Sequence, residues 1–192
     1  MVWVGFAVAV AICFLASVSY NRFATQTALM ANSWANVDTE LRRRHDLVPN
    51  LVETVQGYAG HEQRVLVDVT EARTAALSAS GTGAEHNREE GALSDALHSL
   101  IALAEAYPEL KASGHFLDLQ RQLVTTEDRI QAARRLYNSD VRDYNRRVSS
   151  VPSLLVAKAC GYKRAQYFEL ESSGGPGGAA KDLGLRGHNG TI

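Results

Sequence analysis

The chain opens on residues 2–18, VWVGFAVAVAICFLASV, a run without a single charge, and then becomes a polar chain in which apolar residues recur at alternating intervals of four and three. Met30, Trp34, Val37 and Leu41 carry that rhythm first, followed by Leu51, Val55, Tyr58, Val65, Val69, Ala72 and Ala76. A third stretch holds Leu93, Leu97, Leu100 and Ala104, and a fourth holds Phe116, Leu119, Leu123, Ile130, Ala133 and Tyr137. This spacing stacks side chains along one face of a 3.6-residue helix, so each stretch predicts an amphipathic helix with one stripe to bury. No stretch of five or more residues alternates with the two-residue period of a half-buried strand.

Three breaks separate the predicted helices. In HDLVPN (residues 45–50), Asp46 can cap a helix start and Pro49 is tolerated in a first turn, where its missing N–H is not needed. The rival is one long helix kinked at Pro49, because the four/three register passes through Arg44 and Val48 without a slip. A proline in a helix interior costs about 3 kcal/mol, which favours the break. The polar, glycine-bearing SASGTGAEHN (residues 78–87) predicts the second loop, and Tyr107-Pro108 with Ser113-Gly114 bracket the third. Four amphipathic helices with short loops predict an all-α, antiparallel up-and-down four-helix bundle preceded by one transmembrane helix.

The opening run reads as a membrane anchor. With Ser19 and Tyr20 as its flank it is long enough, at about 1.5 Å per helical residue, to cross about 30 Å of hydrocarbon. A cleaved signal peptide would need a basic segment before the apolar run, and no Lys or Arg precedes it. The first basic side chains are Arg22 and then Arg42, Arg43 and Arg44, so the positive-inside rule places a short N-terminus outside and the bundle in the cytoplasm. Gly5, Ala9, Cys13 and Ser17 recur every four residues within the run, a small-residue stripe that lets two such helices approach closely and so points to homo-oligomers. The expected domain plan is an anchor at 1–20, the bundle at 21–150, a docking segment at 151–171 and a disordered Gly-rich tail at 172–192.

Composition narrows the function. The 192 residues hold 20 Lys+Arg against 21 Asp+Glu, a net charge of -1, which does not suit a protein built to neutralise phosphates, so no nucleic-acid partner is expected. Two cysteines, one of them inside the apolar run, exclude a disulfide scaffold.

The residues also carry a family resemblance. LRRRHDLVPNLVETVQGYAGHE (residues 41–62), Ala72-Arg73, AEAYPELKAS (residues 104–113), Phe116 with Leu119 and Gln120, TTEDRIQAARRLYN (residues 125–138) and Tyr144-Asn145 together resemble the LemA family over about residues 21–168. The resemblance implies a bacterial single-pass membrane protein with a short outer N-terminus and an inner antiparallel four-helix bundle. The family has no established enzymatic activity, so the resemblance does not settle the function. The sequence departs from the family pattern at Val151-Pro152 and Gly161-Tyr162.

Complete catalytic or metal-binding constellations are not legible. A di-iron bundle needs Glu-x-x-His on two helices and a Glu from each of two others, whereas only Asp95 and His98 approach that spacing. His61-Glu62 begins a zinc-protease helix, but Val65 stands where the second histidine belongs. GGPGGAAKD (residues 174–182) lacks the Gly before and the Ser or Thr after its Lys181 that a phosphate loop requires. No catalytic residue, metal or cofactor is therefore expected. Arg42, Arg43 and Arg44 read as a partner contact or a solvated face. Tyr58, Tyr107, Tyr137 and Tyr144 read as core packing, and Asn50, Asn138 and Asn145 as caps or flanks.

Charges on apolar stripes are the remaining oddity. Glu62, Arg73, Glu127 and Arg134 fall on or beside the inner faces and predict a buried or half-buried ionic network between the second and fourth helices. Such a network fixes helix register or, alternatively, lines a polar Glu/Arg/Tyr cleft for a ligand. The expected function is a non-enzymatic, membrane-anchored interaction or scaffolding module bound to the bilayer through residues 2–18 and to protein partners; the alternative is a ligand-binding or enzymatic bundle.

Overall fold

In a computed structural model of the chain, the structure describes residues 1–79 and 81–169, apart from the side chains of Val8 and Ile12; the tail at 172–192 lies outside the described residues. All regular structure among them is helical: α1 (Val2–Gln56), α2 (Gln63–Ser78), α3 (Ala84–Glu105), α4 (Pro108–Lys111), α5 (Gly114–Ser149) and α6 (Ser153–Cys160). α1 packs most extensively along α5, α2 packs on α3, and α2 also rests on α1.

The expected break at Asp46 and Pro49 is absent, and α1 runs through both as one helix of 55 residues. The physical reason is visible on the other side of the missing hydrogen bond. Proline removes the N–H that would bond the carbonyl four residues earlier, here that of His45. Arg73 on α2 supplies the donor instead, with its Nε 2.9 Å from the His45 oxygen. Pro49 itself is exposed, while Leu47, Val48 and Leu51 beside it are buried, so packing holds the helix straight through a position that local preference would interrupt. The chain turns later, at 57–62, where the Tyr58 and Ala59 N–H groups both reach the Val55 carbonyl, at 3.0 and 2.8 Å. Tyr58 therefore sits in a turn, 46% exposed, and not in the core.

The apolar core has two regions separated by a charged layer. Away from the anchor, Leu47, Val48, Leu51 and Val55 of α1 meet Leu66 and Val69 of α2, Leu93, Leu97 and Leu100 of α3, Leu110 of α4, and Phe116, Leu119 and Leu123 of α5. Towards the anchor α2 is gone and α3 reaches only as far as His86 against Trp34 and Phe168. Val37 and Leu41 meet Ile130, Tyr137 and Val141, and Phe23 meets Tyr144 and Val148, so α1 and α5 alone would leave a large apolar face open.

That face is covered by the segment after α5. α6 adds Ala157 to the Phe23 cluster, Gly161 turns the chain in the left-handed region (φ 75°), and 162–169 runs extended back along α5. Two asparagines hold this strap by its main chain. Asn145 accepts from the Ala165 N–H at 2.8 Å and donates to the Ala165 carbonyl at 2.9 Å. Asn138 does the same at Phe168, with 2.9 and 3.0 Å. Seven helical residues rise about 10.5 Å and three extended residues about 10 Å, so the two clips fall in step. Between them the Tyr137 hydroxyl donates to Gln166 O, and Phe168 is fully buried against Trp34 and His86.

The Pro49–Arg73 substitution of donors gives a direct test. Arg73→Met orphans the His45 carbonyl and is expected to cost about 1–3 kcal/mol in denaturant unfolding. In a Pro49→Ala background, where the backbone N–H returns, the same change costs clearly less; equal costs in both backgrounds would show that Arg73 does not serve the proline gap.

Candidate functional site

The layer between the two core regions is built on Arg44, whose side chain is fully buried, so the expectation of a solvated or partner-facing arginine is wrong for it; Arg42 and Arg43 do face solvent. Arg44 falls on the buried stripe between Leu41 and Val48, and its guanidinium crosses to two other helices. Nη1 donates to Ser94 Oγ at 2.7 Å on α3 and to Glu127 Oε1 at 2.8 Å on α5. Nη2 donates to the Glu90 carbonyl at 3.3 Å and makes the closest ion pair of the site with the Glu90 carboxylate. Glu90 and Ser94 lie one turn apart on α3, which puts both on the face that meets α1.

Two histidines complete the arrangement. His45 Nε2 lies 3.0 Å from Glu90 Oε1, and His86 Nε2, one turn before Glu90, lies 3.9 Å from the same oxygen. His86 also packs edge-on to Trp34 and against Phe168, so the ionic layer touches the aromatic pocket that holds the strap. Burial alone would push the Glu90 carboxyl up; the contact with His45 and the charge of Arg44 reverse this and hold it below the ordinary glutamate range. A single guanidinium faces two carboxylates here, and the His45 ring lies against one of them.

The predicted four-residue network is therefore recomposed. Glu127 belongs to the layer, but through Arg44. Arg73 serves the His45 carbonyl at the layer's edge and makes no ion pair with Glu127. Glu62 is an exposed residue at the start of α2, and Arg134 is half-buried; neither forms an ion pair among the described residues. Sequence spacing missed Arg44, Glu90 and His86, although the unbroken register through Arg44 and the 86-90-93-97 spacing on α3 placed all three on buried stripes. It also missed Asn138 and Asn145, read as flanks, because their partners lie 20 to 30 residues away.

Chemically, the layer is closed only in part: Arg44 Nε, His45 Nδ1 and both ring nitrogens of His86 are buried without a hydrogen-bond partner among the described residues. The charges converge on one another, and the open hollows lie elsewhere: about 340 Å³ beside Asn87 and Tyr167, about 380 Å³ along Thr70 and Thr74, and about 490 Å³ at the far end by Glu53, Tyr58 and His115. Among the described residues no cluster of His, Cys, Asp and Glu has the grouping of a metal site.

A helical body, carried on a helix whose first stretch is apolar, wholly unburied and long enough to cross a bilayer, defines a membrane-associated helical protein. The chain belongs to the LemA family, whose sequence profile matches residues 33–176. Two proteins of Paramagnetospirillum magneticum, Magnetosome protein MamQ 1 and Magnetosome protein MamQ 2, are each 26% identical to it over 180 residues, covering 81% of this chain and 66% of their own length. Magnetosome protein MamQ of Magnetospirillum gryphiswaldense is 24% identical over the same span and shares. The chain thus spans just under two thirds of the length of these relatives.

Two outcomes check the layer. Arg44→Met leaves Glu90 buried without its cation and is expected to destabilise the protein by about 3–5 kcal/mol, whereas joint replacement by Arg44→Met and Glu90→Leu recovers much of the loss; a double variant no more stable than the single one contradicts the pairing. The second concerns acid. A carboxyl held lower in the folded than in the unfolded chain contributes stability that is present above the unfolded value, roughly 4.3, and is lost as pH falls through the folded one. Glu90→Gln therefore unfolds with a shallower dependence on pH below about 4.3 than the parent chain. Parallel acid limbs would refute the lowered Glu90 value.

Proposed function

We propose that this chain is a non-enzymatic, membrane-tethered scaffold that presents a rigid helical body to protein partners at the cytoplasmic face of a bacterial inner membrane. The observation that carries the reading is the continuity of α1: the same helix that starts in an unburied apolar stretch ends in the core beyond Arg44. Its four longer helices act as an up-and-down four-helix bundle at the end away from the membrane. The convergence of the Arg44 guanidinium on Ser94, Glu90 and Glu127 supports a register-fixing role for the buried charges over a ligand cleft. Arg22 just after the anchor, with no basic side chain before it, supports the cytoplasmic placement.

Copies associate, in this reading, along Gly5, Ala9, Cys13 and Ser17. All four are exposed, and the Ser17 hydroxyl is satisfied within the helix by the Cys13 carbonyl at 2.9 Å, leaving the stripe for close packing. The test is in-cell crosslinking of the full-length chain followed by purification with its anchor intact. A reproducible protein partner or a homo-oligomer, the latter reduced by Gly5→Leu with Ala9→Leu, is the expected result. A protein that emerges monomeric, alone and loaded with a small molecule contradicts the scaffold reading.

A further inference from the structure

We propose that the membrane-proximal end of the helical body, centred on α6, is a second membrane contact that binds anionic lipid headgroups. The inference rests on the reading that residues 2–18 span the bilayer.

Position comes first. α6 packs on α1 and α5, and its Ala157 lies in the cluster of Phe23 and Tyr144, only a few residues past the apolar run. Tyr162, immediately after α6, stacks on Phe23 at 4.8 Å and reaches Tyr20 at 6.5 Å, so the α6 region is pinned to the stretch of α1 that leaves the membrane. A ring such as Tyr20 at that depth sits at the headgroup level.

The outward face of α6 is apolar where a body facing only water would be polar. Leu155 is 67% exposed and Lys158 and Ala159 continue its exposed face of α6, while Val151, in the turn just before the helix, is 77% exposed. Inward, Ala157 is buried. Leu154 and Val156 are half-buried, so Leu155 with Val151 just before the helix are the bare aliphatic side chains of this end, suited to a plane of lipid.

Charge points to the headgroup chemistry. Across residues 19–36 and 141–165, which build this end, the chain holds Arg22, Arg142, Arg146, Arg147, Lys158, Lys163 and Arg164 against the single acid Asp143. The whole chain carries a net charge of -1, so the remainder is acidic and the positive charge is concentrated on the side nearest the bilayer. Asp143 is engaged by Arg146 at 3.1 Å, Arg147 by Gln26 and Arg164 by Ser149, whereas Lys158 and Lys163 form no ion pair among the described residues. Each basic group near an anionic surface strengthens binding, and the attraction fades within a Debye length. Apolar insertion and basic attraction then act together on one small helix.

The experiment places one cysteine at a time, Leu155→Cys or Phe14→Cys, in a full-length Cys13→Ser/Cys160→Ser chain, labels it with an environment-sensitive fluorophore, and reconstitutes it in vesicles. Nitroxide lipids then report depth. With phosphatidylglycerol vesicles the probe at 155 is expected to be quenched at headgroup depth. That quenching falls at least about twofold in pure phosphatidylcholine, when salt is raised tenfold, and in Lys158→Gln/Lys163→Gln. Phe14 is quenched deeply throughout. A water-like probe at 155 on both lipids, with Phe14 still deep, overturns the proposal while leaving the span intact. Quenching at 155 that ignores lipid charge, salt and the lysines overturns the anionic specificity. If Phe14 is also water-like, the spanning reading itself falls, and this inference with it.

Discussion

A guanidinium with no exposed surface, in the middle of the longest helix, is the constraint that organises this protein. Arg44 cannot be left unpaired in an apolar core, because an unmatched buried charge costs several kcal/mol. Its partners come from two other helices, Glu90 and Ser94 on α3 and Glu127 on α5. Only one axial and rotational setting of α1, α3 and α5 satisfies all of them together. Apolar stripes of Leu and Val slide with modest penalty; a forked donor with three fixed acceptors does not.

The layer also marks where the architecture changes. On one side, α1, α2, α3, α4 and α5 enclose a leucine-rich core; on the other, α1 and α5 continue as a pair and need a cover. That cover is a strap and not a helix, so its main-chain groups find no partners of their own. Asn138 and Asn145 provide them, and Phe168 fills the gap between Trp34, Tyr137 and His86. His86 touches both Phe168 and the Glu90 carboxylate, so the end of the strap rests directly on the ionic layer.

Much of this was legible in the chain, and the rest was not for identifiable reasons. Helix content, the apolar anchor and the stripes of Leu93, Leu97, Leu100 and Phe116, Leu119, Leu123 follow from local periodicity. The break at Pro49 was misjudged because the donor that closes its gap, Arg73, belongs to another helix 28 residues away. Glu127 was recognisable as a charge on a stripe, yet it was placed in a network with Glu62, Arg73 and Arg134, when its partner Arg44 lies 83 residues away. The two asparagine clips show the same limit: a side chain that reads an extended backbone leaves no pattern in either segment. Local spacing reveals which groups are buried, and tertiary contact decides with whom they pair.

Continuity of α1 gives these pairings their consequence for function. A helix of 55 residues is about 80 Å long, of which the first third is apolar and the last third lies in the core. Had the chain broken at Pro49, the anchor and the distal core would be joined by a hinge, and the body could tilt freely over the membrane. Instead Arg73 bridges the weak point, Arg44 locks the helix to α3 and α5 one turn before it, and the strap with α6 ties α5 to α1 near the bilayer. Bending at any of the three levels breaks contacts at that level, so α1 is held straight from Phe23 into the distal core. Rigid presentation lowers the ordering cost of binding, which is the property a tethered scaffold needs and a freely jointed anchor lacks.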